Sequence, residues 1–421
     1  MYDLTQLDNG LRVLTVSVPH VQSVSIGFFL GVGSRFESDA LGGASHFVEH
    51  MLFKGTSRRP TARDVADTIE GRGGIFNGST GVETTLLWAK VAGGHLPEAM
   101  DLLSDMLLHS NLDPRELEKE RAVIIEEIKY ETDTPDSLVE ILVSRLQWPD
   151  HPLGREIAGS AETVGRLSRD TLLQYLSDHY LPGQAVLAVA GQVRHSKAVG
   201  LARALVSGWE PGPPATYSPA PANSSGPRLE VHYKDTEQSH ISLSFTGLNR
   251  GHPDRHVLGL MSVILGGGMR ARLFQQLRET LGLAYSVDCY SDQFADTGSV
   301  GVYAGVAPES AHLAIRAILN ELDKLRQEPV PGDELQKAKE FSKGRLALAL
   351  EEPFALASWY ARQELLGPDV LSPVQVIAEE GKVVAEDIQR LAQTLFRTER
   401  LSLAIVGPEK SGNHLNRAMR F

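Results

Sequence analysis

Two rhythms of apolar and polar positions alternate along the chain. Residues Gln6 to Val18 read as a hairpin turning at Asp8-Asn9-Gly10, with Leu11, Val13 and Thr15 alternating beyond the turn. Ser23 to Leu30 is a second strand, and a Gly-rich connection from Gly31 to Gly43 leads into a helix around His46. Thr61 is placed to cap a helix ending near Gly71, and Gly73-Gly74 separates that helix from a strand pair over about Ile75 to Ala92. Helical patterns follow over His95 to His109, from Asp113 onward, over Pro135 to Leu146 and over Arg169 to Tyr180. In the second of these, Asp113 is the N-cap and Pro114 the first helical residue. The unbroken apolar run Ala185 to Ala190 is that of a buried strand, and a further helix runs to about Val206.

The same plan recurs later. Asp170 to Val193 holds a helix ending in Tyr180 and an apolar strand closing on Gly191; Glu386 to Glu409 holds a helix ending in Phe396 and a strand closing on Gly407. Ser23 to Phe29 likewise resembles Ser239 to Phe245. Between the copies lie Pro211-Gly212-Pro213-Pro214 and the Pro- and Ser-rich stretch Pro219 to Pro227, which cannot form a core. The expected fold is therefore α+β: two homologous domains, each a mostly antiparallel sheet packed with helices, at 1–208 and 228–421. A Pro-rich linker at 209–227 joins them, and the two halves are expected to close as a clamshell.

A chain of 421 residues, 42% hydrophobic and 22% charged, is long enough for two globular domains. No apolar run approaches the length of a membrane span. Met1-Tyr2-Asp3-Leu4 has neither a basic nor an apolar signal region, so a cytoplasmic location is expected. Cys289 is the sole cysteine, so internal disulfides are excluded and any zinc site must use His and carboxylate. A net charge of −12 argues against general nucleic-acid binding. It suits basic peptide partners if it lines a cleft, or solubility alone.

The candidate chemistry sits in Ala44 to Thr56. On a helix, His46, Glu49 and His50 share one side, while Phe47, Met51 and Leu52 point elsewhere. Two imidazoles four residues apart can bind one Zn²⁺, and a carboxylate between them can reach a water on that metal without ligating it. This is H-x-x-E-H, the reverse of the commoner zinc-protease helix. The alternative reading is a helix with two surface histidines and a solvated Glu. Farther on, Glu120 and Glu127 share a helical face with Val123 between them, which implies that this face is at least partly buried. Two carboxylates on such a face need a cation or donors nearby; the alternative is a solvated acidic stripe with Glu116, Glu118, Glu126 and Glu131. The stretch Ser262 to Met269, matching the His46 run in the second copy, carries no ligand.

These residues resemble the inverzincin metallopeptidases, the family of insulin-degrading enzyme, pitrilysin and the mitochondrial processing peptidase. The chain is similar to the short bacterial members and to the processing peptidase beta subunit. The resemblance implies a zinc-dependent endopeptidase of unfolded peptides, with one Zn²⁺ on His46, His50 and Glu127. It implies Glu49 as general base and Glu120 as a support outside the metal shell. It further implies a substrate-binding edge strand at Asn77 and Gly78, where Gly78 replaces the usual Ala. Arg278 and Tyr285 are implied as substrate-carbonyl donors from the second half. Chains of this length are expected to pair as homodimers, a heteromeric partner being the other possibility. Two other readings stay open: a noncatalytic scaffold or subunit of a processing-peptidase-like complex, and a zinc hydrolase of non-peptide substrates.

Overall fold

The computed structural model describes residues 2–221, 226–409 and 419. Residues 222–225 of the expected linker, and 410–418 and 420–421 of the expected second domain, lie outside the described residues. The chain begins with β1 (Asp3–Gln6), β2 (Arg12–Ser17), β3 (Ser23–Leu30), α1 (Ala44–Leu52), α2 (Ala62–Ile69), β4 (Ile75–Thr80) and β5 (Thr85–Ala92). Next come α3 (Leu96–His109), α4 (Pro114–Asp133), α5 (Pro135–Gln147), α6 (Ala161–Arg166), α7 (Arg169–His179), β6 (Ala185–Gly191) and α8 (His195–Leu205). The second half runs β7 (Arg228–Tyr233), β8 (Ser239–Thr246), α9 (Arg255–Gly266), β9 (Ala284–Gln293), β10 (Gly298–Val306) and α10 (Ala311–Gln327). It ends with α11 (Gly332–Ala349), α12 (Pro353–Leu366), α13 (Pro373–Lys382), α14 (Ala385–Leu395) and β11 (Leu401–Gly407).

Local chemistry explains the boundaries. The β1–β2 hairpin turns through Gly10 at φ +94°, with Leu11 N donating to Asn9 Oδ1. Thr61 and Asp64 cap α2 reciprocally, and Asp113 Oδ1 accepts from Arg115 N and Glu116 N at the start of α4.

The repeat read from the sequence is present in the sheets. The first has strand order β1-β2-β6-β3-β5-β4 and the second β7-β11-β8-β10-β9. Apart from the added β1, the two orders correspond strand for strand. In each, one pair is parallel, β2 with β6 and β7 with β11, and the rest are antiparallel. The structure is thus the expected α+β arrangement of two mostly antiparallel sheets packed with helices.

Compactness does not follow the sequential division at 209–227. One compact unit is Met1–Ile128, Glu156–Ser218 and Leu348–Ser372; the other is Lys129–Arg155, Pro219–Ala347 and Pro373–Phe421. In the first unit, one sheet face (Val24, Ile26, Phe28, Leu87, Leu187) packs with Phe47 and Met51 of α1 and Leu103 of α3. Its other face (Leu14, Val16, Phe29, Val186, Ala188) is covered by Ala357, Tyr360 and Ala361 of α12. In the second unit, Ile241, Leu243, Phe245, Val302 and Leu403 pack with α9, α10 and α14. There α5 covers the other face, with Leu138, Val139, Leu142 and Val143 against Ala404 and Val406. Each half of the sequence therefore contributes one helix to the other unit. An amphipathic pattern shows that a helix buries a face, not which sheet receives it. The unit boundary falls inside α4, between Ile128 and Lys129. Among the described residues no helix is long and apolar enough to cross a membrane.

In the connection before α1, the buried Arg35 guanidinium meets Glu83 at 2.7 Å, donates to the Ser218 carbonyl and lies 4.0 Å over the Tyr217 ring. Breaking a buried ion pair from one side leaves the other charge stranded. Glu83→Ala should therefore destabilise the first unit by about 3–5 kcal/mol in chemical denaturation; a loss below about 1 kcal/mol would show that the pair is not a stabilising tie.

Candidate metal centre

α1 starts at Gly43, whose φ of +91° favours glycine and whose Cβ, if present, would stand 2.4 Å from the Ala158 carbonyl oxygen. The first N–H groups of a helix lack partners within it. Glu37 supplies one: its carboxylate accepts from Gly43 N at 2.9 Å and from Ser45 N at 2.7 Å, at the positive end of the helix dipole. Ala44, Ser45, Phe47, Val48, Met51 and Leu52 are buried, and Ser45 Oγ is hydrogen-bonded to the Tyr175 hydroxyl at 2.6 Å. Packing of that face leaves His46, Glu49 and His50 half-buried on the opposite one.

α4 brings the acidic pair to them. Leu117, Glu120, Ile124 and Ile128 form its buried side. Val123 does not belong to it: 43% of Val123 is exposed, so the expectation of a face buried through Val123 is corrected. Burial instead follows Glu120 and Ile124, one position round the helix. Glu120 is buried, whereas Glu127 keeps 46% of its side chain exposed.

Three candidate ligand atoms converge. His46 Nε2 and His50 Nε2 are 3.2 Å apart, and Glu127 Oε2 lies 3.9 Å from the first and 3.6 Å from the second. Among the described residues, this is the group of three His, Cys, Asp or Glu side chains placed to hold a metal ion. Two imidazole nitrogens on one tetrahedral Zn²⁺ stand about 3.3 Å apart, so the spacing fits that ion. Protonation fits as well. Glu120 Oε1 is ion-paired with Lys54 Nζ at 2.6 Å, and its Oε2 is 3.0 Å from His50 Nδ1. A paired carboxylate only accepts, so His50 carries its proton on Nδ1 and turns the Nε2 lone pair toward Glu127. Burial, then the neighbouring His50, pulls the His46 pKa down to about 4, which keeps that imidazole neutral and able to ligate. His46 Nδ1 is buried with no hydrogen-bond partner among the described residues.

Glu49 stands beside this group. Burial raises its pKa; the Thr80 hydroxyl, which donates to Oε2 at 2.6 Å, and His50 pull the other way. Thr80 lies on β4, the edge strand of its sheet, paired only with β5. Along β4, Phe76, Gly78 and Thr80 are the more buried positions and Asn77 and Ser79 the exposed ones. Phe76 packs against Phe53, and a Cβ on Gly78 would come within 2.7 Å of Glu49 Oε1. The inner face of β4 is thus the wall against which Glu49 rests, and glycine at 78 leaves that carboxylate its room. Asn77 Oδ1 accepts from Gly78 N on the exposed side.

Arg278 and Tyr285 lie in the second unit, close to one another. Arg278 sits on a π-helical turn, Phe274–Thr280, and Tyr285 on the edge strand β9. Arg278 Nη1 donates to the Tyr285 carbonyl at 2.9 Å and its guanidinium is 5.3 Å from the Tyr285 ring centre. The Tyr285 side chain is 74% exposed. Sequence reading missed Glu37, Lys54 and Thr80. Thr80 had a signal, since it shares the β4 face of Gly78 at i+2; Glu37 and Lys54 had none.

Residues 12–161 match Insulinase (Peptidase family M16), and residues 166–341 match the Peptidase M16 inactive domain. An uncharacterized zinc protease of Bacillus subtilis, YmxG, is 38% identical over 96% of this chain and 97% of its own. One from Streptomyces coelicolor is 36% identical over 96% and 89%. The crystal structure of a protease from Helicobacter pylori superposes with a TM-score of 0.92 at 23% identity, covering 97% of this chain and 99% of that one. A chain of complex III2 from Candida albicans shares the fold at a TM-score of 0.84 and 21% identity, with each chain wholly covered. This chain belongs to peptidase family M16, and its full-length relatives carry the name zinc protease. The inverzincin resemblance of the sequence is borne out.

If His46 is a ligand, His46→Ala should purify without zinc while the parent carries it. Equal zinc in the two proteins, by elemental analysis, would remove His46 from the centre.

Proposed function

We propose that this protein is a zinc-dependent endopeptidase of unfolded peptides. The observation that carries the reading is the convergence of His46 Nε2, His50 Nε2 and Glu127 Oε2 beside the Glu49 carboxylate. His46, His50 and Glu127 would hold Zn²⁺ there, and the ion would supply Lewis acidity, lowering the pKa of water to about 7 and polarising a carbonyl.

The protein's own groups do the rest. Glu49 takes a proton from the attacking water and passes it to the leaving amine. Thr80 holds one oxygen of that carboxylate, which leaves the other for the proton, and burial moves its pKa upward toward the working range of an acid–base group. Glu120 holds His50 by Nδ1. An extended peptide adds to the open edge of β4 at Asn77 and Gly78 through backbone hydrogen bonds, which gives loose sequence selectivity. Arg278 and Tyr285, as the resemblance implies, donate to the substrate carbonyl as it becomes an oxyanion. Pairing as a homodimer and a cytoplasmic location belong to the same reading and rest on the resemblance and the sequence.

A scaffold role is the competing reading, because the fold alone is shared with the complex III2 chain. All five residues of the centre are present, which favours the enzyme. Cleavage of quenched fluorescent peptides, inhibited by chelation and restored by zinc, separates the peptidase from a scaffold and from a hydrolase of non-peptide substrates.

Glu49→Gln should retain zinc and lose 10²–10⁴-fold in kcat, because the amide cannot accept the proton, by roughly the worth of an acid–base group. A Gln variant as active as the parent would exclude Glu49 as base. Tyr285→Phe should keep its zinc and lose about 10²–10³-fold in kcat, the scale of one oxyanion donor. Unchanged turnover would take Tyr285 out of catalysis.

A further inference from the structure

The loop that follows α1 is held more firmly than a connection requires. Gly55 has φ +125°, and a Cβ there would stand 2.4 Å from the Pro60 carbonyl oxygen. Thr56 N donates to the Arg59 carbonyl at 2.7 Å, and Asn111 N to the Gly55 carbonyl at 3.0 Å. The buried Asp105 of α3 gathers the rest: Thr56 Oγ1, Arg58 Nε and Arg59 Nη1 all donate to its carboxylate at 2.6 to 2.9 Å. Asp101, one turn earlier, takes a second nitrogen from each of Arg58 and Arg59. Phe53 and Lys54 lie between α1 and this pinned loop, with Lys54 next to it. Its backbone N donates to the Met51 carbonyl, and its ammonium meets Glu120 Oε1 at 2.6 Å.

Resting on the zinc reading above, we propose that Lys54 is a positioning residue of the metal centre. Its ammonium fixes the Glu120 carboxylate, and through it the ring plane and tautomer of His50. The linkage is continuous: Lys54 Nζ to Glu120 Oε1 at 2.6 Å, then Glu120 Oε2 to His50 Nδ1 at 3.0 Å. Glu120 has 8% of its side chain exposed, so water cannot readily take the place of either partner. Without the ammonium, this carboxylate keeps one donor for two oxygens and no cation on Oε1 to fix its plane. Its rotation then releases His50 Nδ1, and the Nε2 lone pair loses its fixed direction. The pinned loop gives Lys54 a rigid base, so the Asp105 cluster serves the metal at one remove.

The test is zinc affinity, by competition of the apo-protein with a chromophoric chelator, for the parent, Lys54→Met, Lys54→Arg, Glu120→Gln and the double variant Lys54→Met/Glu120→Gln. Outer-shell partners of metal ligands are worth about 10–100-fold in affinity. Lys54→Met should weaken zinc by that factor and Lys54→Arg should recover most of it. The double variant should be no weaker than the worse single one, because both losses act through one carboxylate. The melting temperature of each apo-protein separates positioning from folding: the proposal requires folded Lys54→Met with weakened zinc. A threefold or smaller loss in Lys54→Met overturns it. So do multiplying losses in the double variant, or a Lys54→Met chain that does not fold while Lys54→Arg binds zinc no better than Glu120→Gln. A parent that takes up no zinc would instead refute the zinc reading itself, and the parent titration reports that separately.

Discussion

Two imidazole nitrogens and one carboxylate oxygen must converge on a single point to offer a donor set for one cation. That constraint organises the first unit. His46 Nε2, His50 Nε2 and Glu127 Oε2 lie 3.2 to 3.9 Å apart, and the elements that carry them are fixed by capping and packing. Glu37 and Gly43 set where α1 begins, and its apolar face fixes which way it turns. α4 is anchored through Leu117, Ile124 and Ile128, so Glu127 arrives from a rigid helix and not from a loop. Glu120 and Lys54 then settle the proton on His50. Such a donor set suits a metal ion.

Glu49 is held by a different element. Thr80 and Gly78 belong to the edge strand β4, which leaves one hydrogen-bonding edge unpaired. One strand thus carries both an open edge and the inner wall for Glu49. A β-strand makes this possible, since its side chains leave through the two faces while its backbone N–H and C=O groups lie along the edges. The wall for Glu49 and the open edge are in this way built on one rigid piece.

Much of this was legible in the sequence because it depends on short periods. The helical period placed His46, Glu49 and His50 together, and the heptad placed Glu120 with Glu127. The strand Ser23–Leu30 and a strand pair over about Ile75 to Ala92, set off from the preceding helix by Gly73-Gly74, match β3 and the β4–β5 pair. What was not legible depends on contacts between distant residues. Glu37 reaches the α1 terminus from upstream by a turn that no local pattern encodes. Arg35 and Glu83 pair across 48 positions, and a charge among glycines gives no hint of burial. The exchange of α5 and α12 between units is of the same kind, because which sheet a helix covers is set by contacts between residues far apart in sequence. Val123 lies on the exposed side because a single apolar residue on an acidic helix does not by itself mark the buried face.

One zinc ion in the His46, His50 and Glu127 site is proposed to support peptide hydrolysis with Glu49 as base. A zinc titration of chelator-stripped protein, followed at once by metal content and by cleavage of an unstructured fluorescent peptide, tests this. Activity is expected to rise in step with bound zinc and to level off at one ion per chain. Activity that is independent of zinc, or one bound ion with no cleavage of any unstructured peptide tried, would contradict it.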